Sequence, residues 1–340
     1  MPWSRVVNFS DPPSLQAALQ SVTQAEILST VRGRFQVEAT LICMETLRMQ
    51  RFKVDLPQIA TIATLPDRKS IGFLLEGSSS ALYHSGLKVI PGDILVYGND
   101  LLHQRSGPDF HYGTMSVPTD EFPIVCRDIM GQGFLEGSHH TVIRPDPALM
   151  SRLLNLHRSV GQLAYEAPEL LEVPQVRRAL EQQLVHIMVR CLAEGAAIQS
   201  TRGARRREAI MARFEEYLEA NSESPLHLPE ICAAISVSER TLRATCEEHL
   251  GMGPIRFLTL RRMHLAQRAL SRADPSSATV TGIATDHGFW ELGRFSVAYR
   301  GLFGETPSET LRSKPKPIAI DINRAVFSSA VWPEVPNTSR

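Results

Sequence analysis

Short hydrophobic runs separated by turn residues characterise the first third of the chain. Strand-like runs at 94–97 and 110–117 lie close to turn sequences such as Pro91-Gly92. Turns that recur every 5 to 11 residues are typical of a small β-barrel or β-sandwich. The pattern therefore predicts an all-β region from about residue 31 to 117.

Helical spacing replaces this pattern after Pro147. Apolar residues recur every three or four positions between 176 and 192, which places them on one face of a helix. This stripe predicts packing against a neighbouring helix or a second subunit, and it is our reason for expecting a homodimer. The segment 194–205 contains small and polar residues that predict a linker. The stripe consists of Val176, Leu180, Leu184, Ile187, Cys191 and Leu192.

The C-terminal part of the chain contains an internal repeat. Hydrophobic positions between 228 and 237 recur 52 residues later, and those between 242 and 254 recur 53 residues later. One residue has therefore been added between the two helices of the second copy. A repeat at a nearly constant offset indicates one supersecondary unit used twice.

Each copy has the pattern of a short helix, a tight turn and a second helix. Pro229 suits a first helical turn, Ser238 is a favourable N-cap, and Gly288 can adopt the left-handed conformation of a turn. The second helices are predicted at 238–250 and 291–303. Two helices that cross over a three- to four-residue turn form a helix-turn-helix unit.

A long helix, predicted at 255–273, connects the two units. At about 1.5 Å per residue it would be about 28 Å long. Successive major grooves on one face of B-DNA lie about 34 Å apart. A rigid connection of this length suits two helices that enter adjacent major grooves, so the geometry favours binding of double-stranded DNA.

The segment 207–312 resembles the DNA-binding domain of the AraC/XylS family of bacterial transcription regulators. The matching sequences include LPEICA at 228–233, VSERTL at 237–242 and RFSVAYRGLFGETPS at 294–308. The resemblance implies a C-terminal all-α domain of two helix-turn-helix units joined by a long helix, double-stranded DNA as a partner, and contact with RNA polymerase. Further matches are Arg262-Met263, Ala266, Leu270, Ile283-Ala284 and Gly288-Phe289, and the departures from the family pattern are Ser236, Cys246 and Gly293.

The resemblance also implies which side chains of the first unit approach DNA. Arg240, Arg243 and Ala244 would meet base edges, and an arginine fork can pair with O6 and N7 of guanine. The alternative is a solvated helix face on which these arginines pair with neighbouring glutamates. The candidate contacts on this helix are Ser238, Glu239, Arg240, Thr241, Arg243, Ala244 and Glu247.

The second unit offers fewer polar contacts, because only Arg294 is a strong hydrogen-bond donor there. Leu292 and Val297 could meet thymine methyl groups or simply pack. We therefore expect the first unit to contribute more sequence discrimination. The candidate contacts on this helix are Glu291, Leu292, Gly293, Arg294, Ser296 and Val297, and the candidate phosphate contacts are Arg261, Arg262 and Lys314, each of which could equally be a solvated charge.

The N-terminal region carries a shorter resemblance. LKVIPGDILVY at 87–97, followed by His103, is similar to the strand-turn-strand of cupin-like sensor domains in the same family. Enzymatic cupins hold a metal through a His-x-His pair, which this sequence lacks; His84, His103 and His111 are dispersed and His139-His140 lie beyond the predicted barrel. We therefore expect neither a metal site nor another cofactor, and the residues that would bind an effector stay unassigned.

Other catalytic patterns are missing as well. The glycines at 131–137 form GxGxxxG, which is one residue too long for a dinucleotide fingerprint. Five scattered cysteines predict free thiols, so close packing of Cys232 and Cys246 is favoured over a redox switch. These observations predict a protein that is not an enzyme.

Charge adds a modest local bias to a balanced total of 36 basic and 36 acidic side chains. Residues 1–200 carry 17 basic and 20 acidic side chains, whereas 201–314 carry 16 and 14. The shift suits a nucleic-acid surface in the C-terminal part. The chain shows neither a membrane-spanning run nor a signal segment, which predicts a cytoplasmic protein without membrane contact.

The sequence thus predicts a two-domain transcription regulator. An N-terminal all-β, cupin-like barrel with trailing helices would bind a small-molecule effector, and the C-terminal domain would bind specific DNA. Two alternatives are a cupin-type enzyme fused to a DNA-anchoring domain and a constitutive architectural DNA-binding protein. The predicted divisions are 1–146 for the barrel, 147–200 for the helical dimerisation and linker region, 206–314 for the DNA-binding domain and 315–340 for a tail.

Overall fold

The fold was obtained as a computed structural model. It describes residues 2–19, 23–33, 35–78, 80–98, 102–130, 141–198, 201–221 and 226–313. Lys314, the predicted tail, His139-His140 and the glycines of 131–137 lie outside these residues.

The strands of the N-terminal half form two antiparallel sheets. The eight-stranded sheet has the order β1-β3-β4-β11-β6-β9-β12-β13, and the five-stranded sheet has the order β2-β5-β10-β7-β8. The strands are β1 Trp3–Phe9, β2 Thr23–Ser29, β3 Val37–Cys43, β4 Arg48–Val54, β5 Gln58–Thr64, β6 Arg68–Leu74, β7 Leu82–His84, β8 Leu87–Val89, β9 Ile94–Val96, β10 Leu102–Ser106, β11 Phe110–Pro118, β12 Thr141–Arg144 and β13 Ala196–Ile198.

Helices flank the sheets and make up the C-terminal part. The helices are α1 Pro12–Leu19, α2 Phe122–Met130, α3 Pro147–Glu166, α4 Glu169–Glu172, α5 Pro174–Glu194, α6 Arg202–Ala220, α7 Leu228–Ala234, α8 Glu239–Leu250, α9 Pro254–Arg272, α10 Val280–Asp286, α11 Leu292–Phe303 and α12 Pro307–Arg312. None of the helices in the described part of the chain combines the length and apolar character that a membrane crossing requires.

The prediction of a β-rich N-terminal domain followed by an all-α C-terminal domain is confirmed. Among the strands of the described residues, hydrogen bonding does not close the two sheets into one barrel. The β region also starts at Trp3 rather than near residue 31, because β1 pairs along its whole length with β3. That pairing joins residues from 28 positions apart (Phe9 and Val37) to 40 positions apart (Trp3 and Cys43), so no local pattern could predict it.

The apolar stripe of α5 packs inside its own domain. Leu184 and Cys191 are fully buried in a core that also contains Phe73 and Met115 of the eight-stranded sheet. Glu181 fixes the helix further, because its carboxylate accepts hydrogen bonds from the backbone N–H groups at the β3–β4 turn. Residues of the same chain therefore cover the apolar stripe, and it no longer supports a second subunit.

The five-stranded sheet lies between two cores. One face packs on the eight-stranded sheet through residues such as Ile27 and Leu82. The other face packs on the first helical unit, because Leu28 and Ile59 share a core with Phe214 of α6. The sheet consequently connects the inside of the N-terminal domain to the predicted DNA-binding domain.

Candidate nucleic-acid interface

The two predicted turns have matching backbone geometry. Ser236 and Gly288 both adopt left-handed conformations, with φ of 56° and 74°. In each turn the following N–H bonds back five residues, from Val237 to Cys232 O at 3.0 Å and from Phe289 to Ala284 O at 2.9 Å. Ser236 therefore performs the turn that glycine performs in the second unit, although a side chain tolerates this conformation less well.

Helix α8 begins and ends at local capping signals. The hydroxyl of Ser238 accepts a hydrogen bond from the backbone N–H of Thr241 at 3.2 Å, and Gly251 ends the helix in a left-handed conformation. The buried face contains Leu242, Thr245, Cys246, His249 and Leu250. The predicted contacts Ser238, Glu239, Arg240, Arg243, Ala244 and Glu247 are exposed on this helix, and Thr241 is half-buried.

An ion pair occupies part of the exposed face of α8. The Nη2 atom of Arg243 lies 2.9 Å from Oε1 of Glu239, and both side chains are about half exposed. Exposed pairs one turn apart stabilise a helix by only about 0.3–0.5 kcal/mol. The guanidinium can therefore exchange this carboxylate for a base or phosphate at little cost.

Helix α11 presents a less polar face. Phe295 and Tyr299 are buried, and the Tyr299 hydroxyl donates to Thr310 Oγ1 at 2.8 Å, which ties α11 to α12. Arg294 is 84% exposed and pairs with Glu291 at 3.0 Å. Of the predicted contacts, Glu291, Gly293, Arg294 and Val297 are exposed, and Leu292 and Ser296 are half-buried.

Trp290 is a surface residue that the sequence analysis missed. Its side chain is 74% exposed directly before α11, which is unusual for so large an apolar group. In the repeat it lies 52 residues after Ser238, the N-cap of α8, whereas the N-cap of α11 is Glu291. The added residue of the second unit therefore places an indole at the start of its second helix, and the change of offset was the available signal.

The three predicted phosphate contacts have different surroundings. Arg261 is only 8% exposed and pairs with Glu26 of β2 at 3.3 Å, so in this arrangement its guanidinium faces the N-terminal domain. Arg262 is half-buried and lies over the Phe289 ring at 5.5 Å. Arg261 is therefore not a solvated charge here, which the sequence could not show because hydropathy does not distinguish a surface arginine from one in an interdomain ion pair. Its contact with a phosphate stays a prediction. Lys314 lies outside the described residues.

Polar contacts fasten the two domains to each other. Glu26 also pairs with Arg268 at 2.7 Å; burial alone would raise the pKa of this carboxyl, but the charges of Arg261 and Arg268 outweigh it and lower the pKa. On strand β10 of the same sheet, His103 Nε2 lies 2.8 Å from Glu215 Oε1 of α6, with both side chains almost fully buried. These contacts position the first helical unit against the five-stranded sheet.

A cavity lies between the two sheets of the N-terminal domain. It has a volume of about 120 Å³ and is lined by residues of α1, β2, β5, β10 and β11, among others. The three dispersed histidines do not meet there: His103 pairs with Glu215 and His111 with Asp109. Among the described residues, no group of three metal-binding side chains comes together.

Comparisons with known proteins agree with this architecture. A family model described as a helix-turn-helix domain matches residues 231–313. The chain is 33% identical over 182 residues to the probable thc operon regulatory protein of Rhodococcus erythropolis. The aligned residues cover 50% of this chain and 54% of that protein. It is 32% identical over 117 residues to XylDLEGF operon transcriptional activator 2 of Pseudomonas putida, which covers 34% of this chain and 74% of that protein.

Among solved structures, the AraC-like transcriptional activator CuxR aligns with 78% of this chain and 95% of its own, with 17% identity and a TM-score of 0.41. The match to the Rhodococcus protein spans about half of that protein's length. The Pseudomonas activator is matched over nearly three quarters of its length. The helix-turn-helix family model, at residues 231–313, spans the paired helical units described above. The chain belongs to the AraC/XylS family of transcriptional regulators.

Proposed function

We propose that this protein is a sequence-specific DNA-binding transcription regulator whose DNA affinity is set by a small molecule bound in the N-terminal domain. The observation that carries the proposal is the repeated geometry of α8 and α11. Each follows a left-handed turn and buries an apolar face, and each leaves a face with an arginine exposed.

The separation of the two helices supports tandem binding in one duplex. Helix α9 contains 19 residues and connects the units, so it is about 28 Å long. Adjacent major grooves lie about 34 Å apart. We propose that α8 and α11 enter these grooves, with Arg240, Arg243 and Arg294 at base edges and Trp290 against the sugar–phosphate backbone.

Strand alternation provides a physical connection between the cavity and the DNA-binding domain. Ala25 and Ile27 of β2 line the cavity, and Glu26 between them holds Arg261 and Arg268 of α9 on the opposite face. A ligand that displaces β2 would therefore change the contacts of α9. Regulation requires that the ligand have different affinities for the two resulting arrangements.

Two further strands have the same alternation. Gln104 of β10 lines the cavity while His103 beside it contacts Glu215, and Gln58 of β5 lines the cavity while Ile59 packs in the core of the first unit. We therefore propose that three strands of one sheet, β2, β5 and β10, couple the cavity to the DNA-binding domain.

Substitution of Glu26 by Gln should loosen this connection. The change leaves Arg261 buried without its counter-charge, and because the pair is partly solvated we expect the free energy of unfolding to fall by about 2 kcal/mol. Urea unfolding of the full chain measures this change. The matched control is Glu194→Gln, which breaks the exposed pair with Arg190 and should leave stability nearly unchanged. Equal stabilities of the two variants would contradict the interdomain role of Glu26.

Selection from a random pool of duplex DNA with the purified full chain tests the proposed function. The expected result is an enriched motif with two sequence blocks about one helical turn, or 10–10.5 base pairs, apart. Binding that is equally strong on all sequences and depends only on salt would overturn sequence-specific recognition and favour the architectural alternative.

The proposed function includes the partners of the protein and its location in the cell. The similarity to named transcriptional regulators supports a non-enzymatic role, contact with RNA polymerase and a cytoplasmic location. A homodimer stays part of the proposal as a way to bind paired sites, although α5 offers no free apolar stripe for it.

A further inference from the structure

The cavity between the sheets has predominantly apolar walls. Leu15 of α1, Ile27 of β2, Ile62 of β5 and Phe52 and Phe110 of the eight-stranded sheet face it. Its volume of about 120 Å³ is close to that of cavities of about 150 Å³ that bind benzene. The walls and the size suit a molecule built around a single small ring or a short branched chain.

The polar groups that line the cavity are uncharged. Among the described residues in its lining there is no arginine, lysine, histidine, aspartate or glutamate; the polar ones are glutamine, serine, threonine and tyrosine. An ionised ligand would lose its hydration without gaining a counter-charge, which is strongly unfavourable. The lining therefore selects against carboxylates and ammonium groups.

A pair of tyrosines forms one polar end of the cavity. The hydroxyls of Tyr97 and Tyr112 lie 2.5 Å apart, and Gln104 Nε2 donates to Tyr97 at 2.8 Å. Burial raises the pKa of Tyr97 to about 12, so both hydroxyls keep their protons at neutral pH. The bond between them uses one hydroxyl proton, which leaves the other to be donated to an acceptor in the cavity.

Gln58 supplies a hydrogen-bond acceptor that complements the donor of the tyrosine pair. Its side chain lines the cavity and is 9% exposed, and its Oε1 atom has no hydrogen-bond partner among the described residues. A buried acceptor without a donor is unfavourable, so it marks a position where a bound molecule can contribute. Gln104 pairs directly with Ala60, two residues from Gln58 on the same face, which places the two glutamines about 7 Å apart.

We propose that the cavity binds an uncharged, largely apolar molecule of about one ring that accepts a hydrogen bond from the Tyr97–Tyr112 pair and donates one to Gln58. Neutral amides, phenols and alcohols have this combination of groups. The inference rests on the proposed regulatory function only for its biological role, because binding to the cavity can be measured without DNA.

Calorimetric titration of the full chain with benzamide, methyl benzoate and benzoate tests the ligand class. These probes have similar shapes, but only benzamide is neutral and carries both a donor and an acceptor. We expect benzamide to bind with a millimolar Kd and the other two to bind at least about tenfold more weakly, since each lost hydrogen bond is worth about that factor. Equal binding of benzoate, or no binding of benzamide, would overturn the proposal.

A variant series locates the polar contacts. Gln58→Leu should weaken benzamide binding about tenfold and leave methyl benzoate unchanged, because methyl benzoate has no proton to donate. Tyr97→Phe should weaken both. The matched control Gln182→Leu changes an exposed position on α5 and should alter neither. If Gln58→Leu weakens the binding of benzamide and methyl benzoate equally, Gln58 has a structural role and the assigned contact is contradicted.

Two independent readouts separate this inference from the proposed function. If benzamide binds but the selected DNA site is bound with the same affinity with and without it, the ligand class stands and its regulatory role fails. If the three probes do not show the expected order of affinity while DNA selection enriches a motif, the proposed DNA-binding function is supported and the assigned ligand chemistry is wrong.

Discussion

Replacement of Arg240 by Ala should weaken binding to the selected DNA site by about 1–3 kcal/mol, or roughly 5- to 150-fold. The side chain is exposed on α8, and its guanidinium can form two parallel hydrogen bonds with guanine. Arg243→Ala should have a similar effect, reduced by the small cost of breaking its pair with Glu239. Titrations of labelled duplex at fixed salt concentration measure both effects.

The control for these variants is Arg190→Ala, which removes the same charge from α5 in the other domain. It should leave DNA affinity unchanged. A base contact also changes which sequences are selected, whereas a phosphate contact weakens all sequences alike and lowers the salt dependence. If Arg240→Ala and Arg243→Ala bind the selected site as tightly as the wild-type chain, α8 does not contact bases.

Acidification from pH 7 to pH 5 should destabilise the protein by several kcal/mol. Burial lowers the pKa of His264 and of His249 to about 4, and burial together with the nearby Arg51 lowers that of His157 to about 3. In the unfolded chain these imidazoles titrate near 6.5, so they take up protons on unfolding at lower pH. Stability is therefore fully present above pH 6.5 and falls as the pH decreases.

Each of these histidines contributes about 2 kcal/mol to the loss at pH 5, since one pH unit corresponds to about 1.36 kcal/mol. Urea unfolding at both pH values measures the total. His264→Gln keeps a donor for the backbone carbonyl of Ser29, which His264 Nε2 reaches at 3.1 Å, and should reduce the pH dependence by about one histidine's share. His186→Gln, at an exposed position of α5, is the control. Equal stability of the wild-type chain at pH 7 and pH 5 would contradict this account.

The cavity could not be predicted from the amino-acid sequence. Tyr97 directly follows β9 and Tyr112 lies on β11, two strands that are not neighbours in the sheet, and Gln58 belongs to the other sheet. Tyr112 and Gln58 occur in no recognisable local motif, and the LKVIPGDILVY segment at 87–97, which ends at Tyr97, does not indicate a ligand contact. Their convergence depends on how two sheets face each other, which is a property of long-range pairing.

The helical units were different, because their determinants are local. Helix α8 was predicted at 238–250 and runs from Glu239 to Leu250, and α9 was predicted at 255–273 and spans Pro254–Arg272. Caps, turn residues and a period of 3.6 lie within a few positions of one another, so they can be read directly from the chain. The internal repeat strengthened the interpretation because each unit supplied an independent example of the same pattern.

The amino-acid sequence by itself determined the paired helix-turn-helix units, their spacing and the outward faces of their second helices. Only the tertiary structure decided that Arg261 faces Glu26, 235 positions away in the chain, and that the apolar face of α5 is buried in its own domain. The physical reason is that helix and turn formation depend on neighbouring residues. Ion pairs, sheet order and cavities depend on which distant segments are brought together by burial of apolar surface.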